Sequence, residues 1–267
     1  MFTEFIERAK QHDFHCESAD DPAISEEAIK WAKQIRTEVA RKVVDLSKTP
    51  KEDHPTSIFM AGTPGAGKTE WRTNFFSSFP TPIVQIDPDD FRSLLPCYNG
   101  KNSHLFQGAT SLITERVLDR AFEKKVSFVL DGTFSHWGPA SKNIRRSLDK
   151  NRIVQIYFIH QNPLQSWKFV GAREKLEGRR ITPEAFSMSY YGTRDVIHKL
   201  LTEPEFAKAL HEKSLTVDAL IKSTGAHKNF VWRNRISAAE FRGIAPLEYT
   251  QEELREKIAA QQSVDGH

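Results

Sequence analysis

Eight consecutive residues, GTPGAGKT at positions 62 to 69, have the types and spacing of a phosphate-binding loop, G-x-x-x-x-G-K-[ST]. Glycines let the backbone bend so that its N–H groups point at phosphate oxygens, and a helix that follows adds its positive N-terminal end. We expect Lys68 to contact the terminal phosphates and the Thr69 hydroxyl to hold Mg²⁺. The expected donor is ATP, with GTP left open. The expected nucleotide-binding residues are Gly62, Thr63, Pro64, Gly65, Ala66, Gly67, Lys68 and Thr69.

Three acids in the stretch QIDPDDF, residues 85 to 91, are candidates for the group that takes a proton from an attacking hydroxyl. They follow an apolar run that is typical of a strand, and in open parallel sheets ligands bind beyond the carboxyl ends of the strands. Asp89 is our candidate for the base. In the alternative interpretation Asp87 caps the next helix and Asp90 is solvated.

A second carboxylate, Asp131, follows another apolar run in the stretch VLDGT. This position fits a Walker B acid that binds Mg²⁺ directly or through water. The alternative is a turn formed by Asp-Gly without a ligand. In the first interpretation Thr133 projects into the acceptor pocket.

Arginines cluster in the stretch VGAREKLEGRRITPEAF, residues 170 to 186. Phosphoryl transfer develops charge on the transferred oxygens, and arginines on a mobile segment can stabilise that charge. Arg173, Arg179 and Arg180 would serve this purpose on a lid that ends where Thr182-Pro183 begins a helix. The alternative is a solvated helix face in which arginines pair with glutamates.

The elements that position these residues alternate along the chain. Short apolar runs at 57–62, 82–87, 126–133 and 153–160 are separated by helix-length polar-periodic stretches, and NFVWRN at 229–234 is the best candidate for a fifth strand. This alternation predicts an α/β fold, a mainly parallel sheet of about five strands flanked by helices. The sequence TQEE, with Thr250 and Glu253, predicts a capping box before a closing helix.

The N-terminal part differs from the rest. Apolar residues spaced three or four apart over residues 22 to 47 predict an amphipathic helix, with Asp21 as its cap and Pro22 in its first turn. The Pro-containing stretch KTPKEDHPTS reads as a linker. We therefore divide the chain into a helical segment at 1–50 and a P-loop kinase domain at 56–267.

Composition limits the function classes. The 267 residues carry 38 basic and 35 acidic side chains, a net charge of +3, which gives no bulk argument for binding nucleic acid or membrane. No apolar run reaches membrane-spanning length. The two cysteines, Cys16 and Cys97, are far apart in sequence, so we expect neither a disulfide nor a zinc site. Reduced thiols would fit a cytoplasmic protein.

Four segments together resemble the zeta toxins, P-loop kinases of bacterial toxin–antitoxin systems. The segments are GTPGAGKT, IDPDDF, DGT and RRITPEA, within a resemblance that spans roughly residues 57 to 200. The resemblance implies Lys68 on the phosphates and Asp89 as the base. It also implies an acceptor pocket that includes Glu115 and Thr133, and it implies that Arg173 and Arg180 contact the phosphates.

The activity that the resemblance implies is transfer of the ATP γ-phosphate to the 3′-hydroxyl of the amino sugar in UDP-N-acetylglucosamine, which would block peptidoglycan precursor synthesis. Residues 134 to 136 are Phe-Ser-His where we expect an arginine in the family, so the acceptor is less well defined than the transfer itself. The family also implies an antitoxin, either a separate protein or, in this chain, the helical segment 1–50.

Two alternatives remain. One is a P-loop kinase of another small molecule, such as another nucleotide-sugar, an antibiotic or a nucleoside. The other is a nucleotide-dependent switch or a nucleic-acid-binding ATPase. The guanine-reading string N-K-x-D of a switch does not occur, and HKNFVWRNR at 227–235 is the only basic stretch interleaved with aromatics.

Overall fold

A mostly parallel β-sheet flanked by helices forms the framework of the computed structural model, which describes residues 2–77, 82–178, 180–222 and 230–264. Within these residues the sheet has six strands in the order β2-β3-β1-β4-β5-β6. The predicted α/β fold class is confirmed. The strands are β1 (Thr56–Ala61), β2 (Val84–Ile86), β3 (Phe128–Leu130), β4 (Ile153–His160), β5 (Leu215–Lys222) and β6 (Phe230–Arg233).

The strands β1, β4 and β5 run parallel, with Ala61 opposite Phe158 and Phe158 opposite Ala219. The near-continuous apolar runs of β1 and β4 are what a parallel strand covered on both faces requires. The strand β5 was not predicted, because its buried residues Leu215 and Val217 alternate with polar ones and do not form such a run. The strand predicted at 229–234 is observed as β6, which pairs antiparallel with β5, while position 229 lies outside the described residues.

Helices occupy most of the remaining described chain. A 3-10 turn at Ser103–Phe106 precedes the fifth helix. The helices are α1 (Thr3–Lys10), α2 (Asp21–Val43), α3 (Lys68–Phe76), α4 (Pro88–Arg92), α5 (Gln107–Lys124), α6 (Trp137–Leu148), α7 (Pro163–Glu177), α8 (Pro183–Thr202), α9 (Pro204–His211), α10 (Ala238–Ile244) and α11 (Gln251–Val264).

The chain divides into two compact units. Unit 1 contains Met1–Asp53, Thr81–Phe128 and Arg173–Arg180. Unit 2 contains His54–Pro80, Val129–Ala172 and Ile181–His267. Each unit is therefore built from segments that are distant in sequence.

In unit 1 the long helix α2 packs along α5. Ile35 and Val39 of α2 and Ile113 and Val117 of α5 are fully buried, as the spacing of three or four residues predicts for facing apolar stripes. The Trp31 indole N–H also donates to a backbone carbonyl of unit 1, that of residue 94, at 2.9 Å. The N-terminal helix thus shares a core with the middle of the chain.

Two details of the N-terminal segment correct the sequence analysis. The cap of α2 is Asp20, whose Oδ1 accepts from the Ala23 N–H at 2.9 Å, and Asp21 is the first helical residue. Cys16 and Cys97 form a disulfide, with 5.5 Å between their Cα atoms. The two cysteines are far apart in sequence, but the fold of unit 1 brings the chain around Cys97 back to the loop before α2, which contains Cys16. The expectation of reduced thiols is therefore wrong, and the cysteines give no support for a cytoplasmic location.

In unit 2 the predicted helix starts are confirmed. Thr182 caps α8 by accepting from the Ala185 N–H at 3.2 Å. Thr250 and Glu253 exchange both bonds of a capping box at the start of α11. A buried cluster joins α7, α8 and α11; its members are Trp167, Val170, Phe186, Tyr190, Leu254 and Ile258. None of the helices in the described ranges has the length and apolar character needed to traverse a membrane.

Candidate functional site

The phosphate-binding loop connects the end of β1 to the start of α3 in unit 2. Gly65 has φ of +76°, and Gly67, the N-cap of α3, has φ of +92°. A side chain at such φ values is strained, so the glycines are required by the backbone path itself. The loop therefore leads directly into the positive N-terminal end of α3, which is where a phosphate site requires it.

Neighbouring backbone atoms also leave no room for a side chain at Gly62 and Gly65. A methyl group at Gly65 would lie 2.2 Å from the carbonyl oxygen of Ser166, and one at Gly62 would lie 2.5 Å from that of Ile159. Both distances are far below van der Waals contact between carbon and oxygen. Thr63 and Ala66 are buried, and the Ala66 N–H donates to the Thr63 carbonyl at 3.2 Å. The loop is thus packed against β4 and α7.

Lys68 folds back over its own loop. Its Nζ donates to the carbonyl oxygens of Gly62 and Thr63 at 2.8 and 2.9 Å. These contacts place the ammonium group over the loop, where the terminal phosphates of a nucleotide would lie.

Asp131, the predicted Walker B acid, lies just after β3 and is buried. Its Oδ2 is 3.2 Å from Nη1 of Arg72, which is also buried. Arg72 follows Thr69 by three residues on α3, so the two lie on neighbouring positions of one helix face. The structure thereby brings Asp131 close to the helix turn that carries Thr69. Arg72 was not predicted as a site residue, although its spacing from the Gly-Lys-Thr string indicates that it lies on the same helix face as Thr69.

The loop after Asp131 is joined to the phosphate loop through Thr133. The Thr133 carbonyl accepts from the Gly62 N–H at 3.1 Å and from the Thr193 hydroxyl at 2.7 Å. Its own hydroxyl bonds that of Ser135 at 2.8 Å, and Ser135 in turn bonds His136 Nδ1 at 3.2 Å. Thr133 therefore belongs to a connected polar chain beside the donor loop.

The three acids before and within α4 have different surroundings in unit 1. Asp87 caps the helix, since its Oδ1 accepts from the Asp89 N–H at 3.0 Å, and the alternative proposed for this residue is confirmed. Asp90 is exposed. Asp89 pairs with Arg92 through Oδ1 and Nη1, and Arg92 also donates to Gln107 Oε1 at 3.2 Å.

Arg92 is the cation that pairs with Asp89. It is 9% exposed, and this burial lowers the pKa of its guanidinium, while the nearby Tyr98 and Asp87 favour the charged form. The spacing of three residues between Asp89 and Arg92 on α4 is the sequence pattern that could have revealed the pair.

The remaining predicted site residues also lie in unit 1. Glu115 is half-buried on α5. Arg173, on α7, and Arg180, just before α8, are both exposed. Arg179 lies outside the described residues. The nucleotide-binding residues, Asp131 and Thr133 thus belong to unit 2, whereas Asp89, Glu115, Arg173 and Arg180 belong to unit 1.

A buried polar cluster at the end of β4 was not predicted from the sequence. Arg194 of α8 donates to His160 Nδ1 at 2.8 Å, and its guanidinium carbon lies 3.6 Å from the centroid of the Tyr190 ring. Burial and the positive charge of Arg194 together lower the pKa of His160 to about 3, so the imidazole is neutral. His160 is the last residue of β4, one position after Ile159, which contacts Gly62.

The family model described as Zeta toxin matches residues 39–231 of this chain, which is most of its length. The chain belongs to the zeta toxin family. This family consists of kinase-like toxins of toxin–antitoxin systems. The resemblance inferred from the four sequence segments is thereby confirmed, and the first 38 residues lie outside the family match.

Individual relatives of the zeta toxin fold are distant. Toxin zeta of Streptococcus agalactiae is 22% identical over 246 residues, which cover 86% of this chain and 80% of that protein. A structure from work on the PezAT chromosomal toxin–antitoxin system of Streptococcus pneumoniae is 20% identical with a TM-score of 0.61, covering 89% of this chain and 96% of that one. The AvrRxo1-ORF1:AvrRxo1-ORF2 complex with ATP is 16% identical with a TM-score of 0.53, covering 96% and 89%. At these identities the solved structures establish a shared fold.

Proposed function

We propose that this chain is an ATP-dependent kinase that phosphorylates the 3′-hydroxyl of the amino sugar in UDP-N-acetylglucosamine and so blocks peptidoglycan precursor synthesis. The observation that carries the proposal is the phosphate loop, whose Gly65 and Gly67 adopt positive φ values at the start of α3. Membership of the zeta toxin family supports phosphoryl transfer as the reaction.

On the donor side, Lys68 would exchange its two loop carbonyls for the terminal phosphates of ATP. A similar fold in complex with ATP supports this choice of nucleotide. Thr69 and Asp131 fit Mg²⁺, because both carry hard oxygen ligands and lie near one turn of α3. Bound Mg²⁺ would neutralise charge on the phosphates. Arg72 would share the Asp131 carboxylate with that ion.

On the acceptor side, we assign Asp89 as the base that takes the hydroxyl proton and Arg92 as the residue that positions it. Glu115 and Thr133 would bind the acceptor, and the two arginines of the lid segment, Arg173 and Arg180, would stabilise charge on the transferred phosphoryl group. The pairing of Asp89 with buried Arg92 supports a fixed carboxylate at this position.

A second candidate is a kinase of a different nucleotide-sugar or another small molecule. The observation in its favour is the chain Thr133-Ser135-His136, linked by bonds of 2.8 and 3.2 Å, at the place where we expect a family arginine. A hydroxyl and an imidazole offer hydrogen-bond donors and acceptors in place of the fixed charge of an arginine. An acceptor without a pyrophosphate at that point would suit such a pair.

The test incubates purified protein with ATP·Mg²⁺ and, separately, UDP-N-acetylglucosamine, UDP-N-acetylgalactosamine, UDP-glucose and a nucleoside, with GTP as an alternative donor. Mass spectrometry should detect one added phosphate on UDP-N-acetylglucosamine, and phosphorus NMR should place it on the sugar 3′-oxygen. Arg173→Ala should lower the rate by about 10³ to 10⁵. Phosphorylation of another acceptor alone would favour the second candidate, and hydrolysis without any acceptor product would reject both.

We further propose that residues 1–50 restrain the kinase in the manner of an antitoxin, with a separate antitoxin protein as the alternative partner. A short linker gives an attached segment an effective concentration on the order of mM, so even a weak contact would inhibit. The linker residue Glu52 is anchored in unit 1, where its carboxylate accepts from the N–H and hydroxyl of Ser127 at 2.9 and 2.8 Å.

Deletion of residues 1–50 should raise both kinase activity and toxicity, and a separate 1–50 peptide should restore inhibition. The peptide is the necessary control, because deletion uncovers the apolar face of α5 that carries Ile113 and Val117. The truncated protein could instead be inert or insoluble. If the added peptide then restores the activity of the full chain and does not inhibit it, the segment serves the fold alone.

A further inference from the structure

A cavity of about 550 Å³ lies in unit 2 beside α8 and α10. Its volume is within the range of small-molecule sites. It includes none of the phosphate-loop residues and none of the residues proposed for the kinase reaction. The side chains that matter for its chemistry are Tyr191, Arg194 and His198 of α8, Phe241 and Arg242 of α10, and Leu247.

Arg194 gives this cavity a buried positive charge. The residue is 6% exposed, and its guanidinium donates to two neutral acceptors, the Tyr190 carbonyl at 3.1 Å and His160 Nδ1 at 2.8 Å. Within the described ranges its buried Nε has no hydrogen-bond partner. Burial lowers the pKa of its guanidinium, while the nearby Tyr190 and Glu248 favour the charged form. A buried cation is costly unless an anion compensates it, so this arrangement is incomplete as it stands.

Two carboxylates lie near Arg194 or line the cavity, and each of them also has another partner. Glu248 is exposed and accepts from the Asn162 amide at 2.7 Å, and Asp195 lies 2.9 Å from Lys199 Nζ. Arg242 adds a second cation at the rim, where its Nη1 is 3.4 Å from His198 Nε2. The cavity therefore has two guanidinium groups, one buried and one exposed.

Besides the arginines, Asp195 and His198, the lining is mainly apolar and partly open to solvent. Phe241 is 4% exposed and Ala245 is 5% exposed, whereas Leu247 is 59% exposed. A cavity without an occupant would leave this apolar surface without contact partners, and Arg194 would have only the exposed Glu248 as a nearby negative charge. Both requirements are met by one kind of occupant, an anion with an apolar body.

We propose that this cavity binds a small organic anion whose carboxylate or phosphate lies between Arg194 and Arg242 and whose flat apolar part packs on Phe241 and Leu247. Hydrogen bonds from a guanidinium to a carboxylate are among the strongest in proteins and favour planar, two-point contact. The site is additional to the phosphate loop and does not depend on which acceptor the kinase uses.

The experiment titrates the full chain with naphthalene-2-carboxylate in low-salt buffer and follows binding by calorimetry, with neutral naphthalene-2-carboxamide as the matched probe. The carboxylate should bind with a stoichiometry of one to one. The carboxamide should bind at least about tenfold more weakly, since it lacks the charge. Arg242→Gln and Leu247→Asp, both at exposed positions, should each weaken carboxylate binding at least about fivefold. Arg255→Gln, which removes an exposed arginine of α11 outside the cavity, should leave it unchanged.

Equal affinity for the carboxamide would overturn the proposal, because it would mean that the cavity accepts any apolar group, including a side chain of a partner protein. Loss of carboxylate binding in Lys68→Ala, with Arg242→Gln unaffected, would place the probe on the phosphate loop and also overturn it. Absence of binding at millimolar probe would do the same. Arg194→Gln is measured last, since it removes a buried charge and can disturb folding.

Discussion

Acidification should unfold this protein in part through one residue, His160. The imidazole is 7% exposed, and its Nδ1 accepts a hydrogen bond from Arg194 at 2.8 Å. A protonated ring could not accept that bond and would place a second cation against the guanidinium. Burial first, and Arg194 second, therefore lower its pKa to about 3.

The sign and size of the effect follow from proton linkage. The pKa of histidine in the unfolded chain is about 6.5. Because the folded pKa lies below this value, the contribution of His160 to stability is present above pH 6.5 and is lost progressively as the pH falls towards about 3. Between pH 7 and pH 5 the loss from this group amounts to about 2 kcal/mol. This is a large fraction of a typical folding free energy of about 5 to 15 kcal/mol.

The assay is urea unfolding followed by tryptophan fluorescence at pH 7 and pH 5. The comparison variant is His160→Asn, whose amide oxygen can still accept from Arg194 but does not titrate. The wild type should lose about 2 kcal/mol more than the variant between the two pH values. Other titrating groups are common to both proteins and cancel. Equal losses would refute the assignment of a neutral, buried imidazole.

Three further outcomes are expected. Asp89→Asn should lower kinase turnover about 10² to 10⁴-fold, whereas Asp90→Asn, at an exposed position of the same helix turn, should stay within tenfold of wild type. Gly65→Ala should destabilise the protein by at least about 1 kcal/mol in thermal unfolding, because its methyl group meets a backbone oxygen at 2.2 Å; Gly171→Ala, with nothing within 4 Å, should not. Cys97→Ser should lower the free energy of unfolding by about 2 to 4 kcal/mol, a difference that should vanish when both proteins are measured in reductant.

The helix starts and the phosphate loop were predictable from sequence because their causes are local. A capping box needs only Thr250 and Glu253 at the right spacing, and both of its bonds are present. The glycines of the loop are dictated by backbone φ values, which depend on adjacent residues. Long apolar runs likewise predicted four strands, whereas β5, whose apolar residues alternate with polar ones, was missed.

Contacts between distant residues followed no such local rule. Because Cys16 and Cys97 are far apart in sequence, no disulfide was expected, but the fold of unit 1 brings them together. Asp20 and Asp21 are equally good N-caps by residue type. The backbone of Asp20 is extended and α2 begins at Asp21, so Asp20 is the cap.

The sequence by itself determined the α/β class, the phosphate loop and the family, since these depend on short strings and on hydrophobic periodicity. Only the tertiary structure placed Arg72 against Asp131, Gln107 against Arg92, and Arg194 against His160. The physical reason is that burying a charged side chain is costly without polar partners, and these partners come from whichever element the packing brings near.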